Sequence, residues 1–273
     1  NLAKMVMPIV FVILAVLSCL SSLLLAFFTW QRRQTSGSLP LIFVLLCAAL
    51  WNLSFILELF SAELAAKLFW NNLTITSADL IVAALLLFAL QYSGRGARLW
   101  RVWWVVGVVP LVNTVITWFN LLPGLTRLYP HMIRVEPLSM LSYRYGDWYI
   151  AVLVYNGLLV VTTVVLFVTH TFLAPRLYRQ QIAMVSLGTL FPWAFGLFGM
   201  LGLFPGLDTP IFRPLPTTFI ISNLFWALGL FRYRMLDIVP IARQFVVNSM
   251  GEIMIVVDTK ERIIDLNPAA GQI

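Results

Sequence analysis

Seven apolar stretches, each about as long as a membrane is thick, fill residues 6–231, and every second connection between them is basic. A helix needs about 20 mainly apolar residues to cross ~30 Å of hydrocarbon. The stretches run 6–30, 39–60, 68–92, 102–122, 148–172, 182–204 and 215–231. Charged residues make up 11% of the chain and hydrophobic ones 61%, against about 25% charged in a soluble domain. The expected class is therefore an all-α membrane protein, a seven-transmembrane-helix bundle.

The basic residues set an expected orientation. The first, third and fifth connections carry Arg32, Arg33, Arg95, Arg98, Arg101, Arg176 and Arg179 with no acidic residue among them, and Arg232 and Arg234 follow the seventh stretch. On the other side Lys67, Arg127, Arg134, Arg144 and Arg213 are interspersed with Glu63, Glu136, Asp147 and Asp208. Short cytoplasmic loops are enriched in Lys and Arg, which puts the N-terminus outside and the C-terminus in the cytoplasm. The net charge of +7 is accounted for by this bias and by attraction to anionic lipid, so no nucleic-acid partner is implied. The first stretch is too long for a cleaved signal peptide and lacks a cleavage site. Cys19 and Cys47 both fall inside spans, where lone buried thiols are expected rather than a disulfide.

Residues 1–231 read as one helical bundle, 232–250 as a linker and 251–273 as the start of a second domain. The one long connection, residues 120–147, holds Pro123, Gly124, Pro130 and Pro137 with Tyr129, His131, Tyr143 and Tyr145. It reads either as a lid over a pocket or as a structured cap. Beyond Phe231 a break is expected near residues 237–239, then a fresh helix with Pro240 in its first turn. Val239, Ala242, Phe245 and Val246 share its apolar face. The β-branched run 252–257, a polar turn at 258–262 and a second strand at 263–266 read as the opening hairpin of a soluble α/β domain. That segment is too short to own a core, so a longer protein with a further cytoplasmic part is expected.

Polar residues inside spans are costly; an unpaired charge costs about 2.5–3.5 kcal/mol on insertion scales. Trp51, Phe55 and Glu58 share a face of the second span. Asn72, Thr76 and Asp79 share a face of the third, with Asp79 roughly 16 Å in from Leu68 at 1.5 Å per residue. Asn113, Asn156 and Asn223 lie in the fourth, fifth and seventh spans. Interhelical pairing is the ordinary role of such asparagines, and Trp70, Trp100 and Trp148 read as interfacial belt residues. Asp79 is expected to be protonated and bonded to an Asn or Thr, or to face a cavity. The cavity is favoured because Asn72 and Thr76 extend its polar face.

Several chemistries are excluded. No lysine lies between Lys67 and Lys260, so the seventh span holds no retinal Schiff base. His131 and His170 fall on opposite sides and cannot share a metal or haem. No nucleophile elbow, phosphate-binding glycine loop or zinc-protease helix occurs. No catalytic residue, metal or cofactor is expected in residues 1–273.

The run Phe88-Ala89-Leu90-Gln91-Tyr92-Ser93-Gly94-Arg95, the entry Arg179-Gln180-Gln181 before Pro192, and Leu207-Asp208-Thr209-Pro210 resemble the seven-helix N-terminal sensor region of bacterial histidine kinases. Trp51 followed by Glu58, and His131 in the long connection, fit the same pattern. The junction from Arg234 through Asp237, Pro240 and Arg243 is the most specific part of the resemblance. Val256-Val257-Asp258 and Ile264-Asp265-Leu266-Asn267-Pro268-Ala269-Ala270 resemble the start of a PAS domain. Two features depart from the pattern: Asp79 itself, and the turn from Asp258 to Arg262, which lacks the usual glycine.

The resemblance implies a receptor in the bacterial inner membrane, in a two-component system. Its output would be a histidine kinase acting on a response regulator, or in some cases a cyclic-dinucleotide enzyme. The expected ligand is small and apolar or aromatic, held in an outward-opening pocket among spans two, three, five, six and seven. Trp51, Phe55, Trp193 and Trp226 would wall it, and Glu58, Asn72, Thr76, Asp79, Asn156 and Asn223 would orient it. Pro240, Ala242, Phe245 and Val246 would carry the signal onward through a homodimer seam. Two other classes remain. A transporter would show broken helices in matching positions of two halves, and only Pro192 is read as breaking a span. A membrane anchor without a ligand would merely pair its buried polar groups.

Overall fold

The computed structural model describes residues 2–93, 99–121, 123–135, 138–173, 176–200, 218–233, 236, 251–257, 263–266 and 269–270. The chain divides into two units, Asn1–Met235 and Leu236–Ile273. The first contains helices α1 (Leu2–Trp30), α2 (Ser38–Phe60), α3 (Leu64–Tyr92) and α4 (Leu99–Phe119), then strands β1 (Arg127–Val135) and β2 (Leu138–Tyr145). Helices α5 (Asp147–Leu173), α6 (Arg176–Met200) and α7 (Phe219–Ala227) follow, and α7 runs on into a π-helical segment, Leu228–Arg232. Helices suit these segments because hydrocarbon offers no partner to a backbone N–H or C=O, so each must bond within its own element.

Burial explains how the helices are arranged. In α5, Val152, Asn156, Val160, Thr163 and Phe167 are buried while Val154, Leu158, Val161, Val165 and Phe172 are exposed. That helical spacing separates a packed face from one suited to lipid. Helix α3 differs: every residue from Ile81 to Ala89 is buried. A helix covered all round lies at the centre of its bundle. On α1 the buried face is mostly small residues, Ala15, Ser18, Ser22, Ala26 and Thr29, with Leu25 the one large side chain among them, which suits close approach of α2 and α7. The α1–α2 turn closes on the end of α3. Gly37 there has φ 86°, and a Cβ would stand 3.1 Å from the Phe88 ring, so both conformation and space call for glycine.

Four helices among the described residues are long and apolar enough to cross a membrane: Ile9–Trp30, Ser38–Phe60, Leu64–Tyr92 and Asp147–Phe172. Trp104–Phe119 and Phe219–Arg232 are apolar but shorter. The third helix starts one turn earlier than its apolar run, at Leu64, which brings Lys67 inside it. The reading that Pro192 breaks a span is corrected, since α6 runs unbroken through Pro192 as α4 does through Pro110.

The long connection is not an irregular loop. β1 and β2 form an antiparallel hairpin in which Met132 faces Leu141, Ile133 faces Met140 and Arg134 faces Ser139. The register shifts between Leu128 and His131, where Tyr129 takes φ 52° and Pro130 has no N–H to give a ladder. A bulge accommodates both. In the second unit, β3 (Ile255–Val257) pairs antiparallel with β4 (Ile263–Leu266), the hairpin expected there with a shorter first strand. The expected turn at 258–262, the break near 237–239 and the linker helix at 240–250 lie outside the described residues, and with them Pro240, Ala242, Phe245 and Val246.

Candidate functional site

The sequence-selected polar residues occupy three places, and their hydrogen bonds run to three sets of elements. The first is where the β1–β2 hairpin meets α2 and α3. Glu58, in the last turn of α2, is 6% exposed. Its Oε1 accepts the Leu141 backbone N–H at 3.3 Å and its Oε2 the Asn71 side-chain N–H at 3.5 Å. Lys67 is fully buried, and its ammonium donates to the carbonyl oxygens of Glu58 at 2.6 Å and Ser139 at 2.7 Å. Three donors on one nitrogen allow it to hold α2 and β2 at once. The Arg127 guanidinium donates to Asn71 Oδ1 at 3.0 Å and to Asn72 Oδ1, and lies 5.7 Å from the Tyr143 ring centre. Phe55, one turn below Glu58, packs with Ala15, Leu59 and Met140 under the same hairpin.

The second place is a polar chain between α3, α4 and α5. Asp79 is 3% exposed. Its two oxygens accept separately from Asn113 at 2.6 Å and Asn156 at 2.7 Å. The orientation of Asn113 is fixed by a third group. Trp148 Nε1 donates to Asn113 Oδ1 at 2.9 Å, and an indole N–H can only donate, so the amide of Asn113 must face Asp79. Asn156 has no such anchor: its Oδ1 is buried without a partner among the described residues. One turn nearer the hairpin, Thr76 Oγ1 accepts from Trp118 Nε1 at 2.9 Å. Asn72, Thr76 and Asp79 thus form one ladder along α3, met in turn by the hairpin, α4 and α5.

The third place lies at α7. Asn223 donates to Ser18 O at 3.1 Å and to the hydroxyls of Ser21 and Ser22 at 2.8 Å each, all on α1. Trp51 meets Phe219 edge to face at 5.1 Å. Trp226 is buried against α6, where a Cβ on Gly188 would come within 2.6 Å of its indole. Its Nε1 has no partner among the described residues. Trp193 is half-buried on α6. Asp79 and Asn223 therefore face away to different neighbours instead of lining one wall.

Lys67, Asn71, Arg127, Trp118 and Trp148 were not among the residues selected from sequence. Lys67 reads as a loop charge and Trp148 as a belt residue. The available signal was the i, i+4 spacing of Lys67 and Asn71, which puts both beside Glu58 once α3 begins at Leu64.

Residues 14–240 match the family described as the N-terminal 7TM region of histidine kinase. The chain belongs to this family. No curated protein matches it. Membership makes the chain the membrane-embedded sensor region of a histidine-kinase type of protein. The match ends before the β3–β4 hairpin.

Proposed function

We propose that the chain is the receiving half of a transmembrane signal receptor. Its seven spans place the N-terminus and the β1–β2 hairpin outside and the C-terminus in the cytoplasm of a bacterial inner membrane. A small ligand with an apolar or aromatic body enters from the hairpin side and takes its orientation from the α3 ladder. The stimulus then passes through the exit of α7 to a cytoplasmic PAS domain, of which β3–β4 is the opening hairpin, and to a kinase output acting on a response regulator. The observation that carries this reading is the open acceptor on Asn156 at the foot of a ladder whose other groups are bonded. A buried acceptor without a donor costs about 1–3 kcal/mol, and a ligand N–H or O–H would recover it.

The test uses the full-length protein and two variants. Asp79→Asn keeps shape and hydrogen bonding, while Asp79→Leu removes both. The receptor reading expects Asp79→Leu to abolish the stimulus response while the protein still inserts. If Asp79→Leu only lowers the melting temperature in detergent and signals normally, Asp79 is interhelical glue and the bundle is closer to an anchor.

A further inference from the structure

Gln91 and Tyr92, at the end of α3, meet Gln181, far from them in sequence, at the end of the bundle opposite the hairpin. Gln91 Oε1 accepts the Gly37 N–H at 3.1 Å, and Ser36 Oγ donates to the Gln91 carbonyl at 3.0 Å. The last turn of α3 thereby holds the α1–α2 turn. The next residue, Tyr92, donates its hydroxyl to Gln181 Oε1 at 3.1 Å. Gln181 is 7% exposed and donates its Nε2 to the carbonyl of Tyr233, the residue just past the π-helical segment. The orientation of this carboxamide follows from its neighbours. A backbone carbonyl only accepts, so Nε2 faces Tyr233 and Oε1 faces the phenol.

The clamped carbonyl directly follows the segment that leaves the α winding for a π-helix. Leu228–Arg232 is π-helical, and the Tyr233 N–H bonds to Leu228 O at 3.1 Å, five residues back. Such turns are rare and concentrate at functional positions. Burial does not select it. Phe219, Ser222, Asn223, Trp226 and Leu230 are buried, a spacing that uninterrupted α winding keeps equally well. In α winding the Tyr233 N–H would turn to Gly229 O. The chain beyond would slip by one residue, a rotation of about 100° at 3.6 residues per turn. The Tyr233 carbonyl would then leave the reach of Gln181.

We infer that Gln181, positioned by Tyr92, is a clamp that holds the exit of α7 in its π winding. Its release rewinds the exit to α and turns the chain that follows. The clamp stands on geometry alone; that the rotation is the relayed signal rests on the receptor reading above. Gln181 and Tyr92 are positioning residues that act through the carbonyl of Tyr233.

Phe231 gives a register mark, because its ring meets Phe28 of α1 edge to face at 5.1 Å. In membranes holding the full chain, with Cys19 and Cys47 replaced by Ala, Phe28→Cys is paired in turn with Leu230→Cys, Phe231→Cys and Arg232→Cys. A short thiol cross-linker reads which pair reacts fastest. The unaltered clamp should give its maximum at position 231. Gln181→Met, which keeps length without the donor, and Tyr92→Phe, which removes one hydroxyl, should each move it by one residue. A maximum that stays at 231 in both variants overturns the clamp. A uniform loss of cross-linking with a lower melting temperature also overturns it, because Gln181 would then only support packing. A shifted register with an unchanged stimulus response removes the rotation from the signal path. Absence of any stimulus response in the unaltered protein counts against the receptor reading and leaves the register result standing.

Discussion

Glu58 and Lys67 show how burial changes the meaning of a charge. Glu58 stood out in the sequence because a carboxylate in an apolar run is expensive. Its neighbours could not be named from spacing alone, since they come from β2 and from the first turns of α3. Lys67 was illegible for a different reason: four residues into a helix whose start was set too late, it counted as a loop cation. In the structure it is fully buried and donates to two carbonyls. Lys67→Met should remove a donor from the Ser139 carbonyl and leave the Glu58 carbonyl to the Ser61 N–H, at a cost of about 1–3 kcal/mol. It should lower the melting temperature and speed amide hydrogen exchange at Leu141, whose N–H lies on Glu58. Unchanged exchange there would show that the ammonium does not seat the hairpin. Asp79 and Asn156 were legible by their cost. Trp148 was not, because a Trp near a helix start carries the same signal whether it meets headgroups or an asparagine.

Among the elements, the long helices were legible and the β1–β2 hairpin was not. A run of apolar residues as long as a membrane leaves few alternatives to a helix. The hairpin strands carry Pro130 in β1 and no two-residue turn signal between them, so neither strand alternation nor turn chemistry marked them. The register gives a direct check. His131 faces Ser142 across the ladder. Cysteines at these two positions should cross-link readily, whereas His131→Cys with Arg144→Cys should not, because the bulge places Leu128 opposite Arg144. Equal reaction in both pairs would mean the strands slide. The π-helical exit of α7 also escaped sequence reading, since its burial spacing is that of an ordinary helix and only the Gln181 clamp distinguishes it.

For the whole molecule, the arginine asymmetry makes the sharpest statement. Tyr129 in the hairpin is 78% exposed, and Gln34 between α1 and α2 is exposed at the opposite end. In intact cells a thiol reagent that cannot cross membranes should label Tyr129→Cys and leave Gln34→Cys unlabelled until the membrane is opened. The reverse pattern would invert the topology. The bundle class and family could be read from the sequence because hydropathy and basic loops are local properties. The partition of polar residues into three places could not, because it depends on which helix faces which. Helix α3 is the element common to both ends of the bundle. Its first turns hold the hairpin through Lys67, Asn71 and Asn72, its last turn holds the α1–α2 turn through Gln91 and the clamp through Tyr92, and it is buried all round from Ile81 to Ala89. A close-packed rod cannot shift at one end alone. On the receptor reading proposed above, linkage then runs in both directions: whatever factor a ligand at the hairpin end imposes on the opening of the clamp, a locked clamp imposes on the affinity for that ligand.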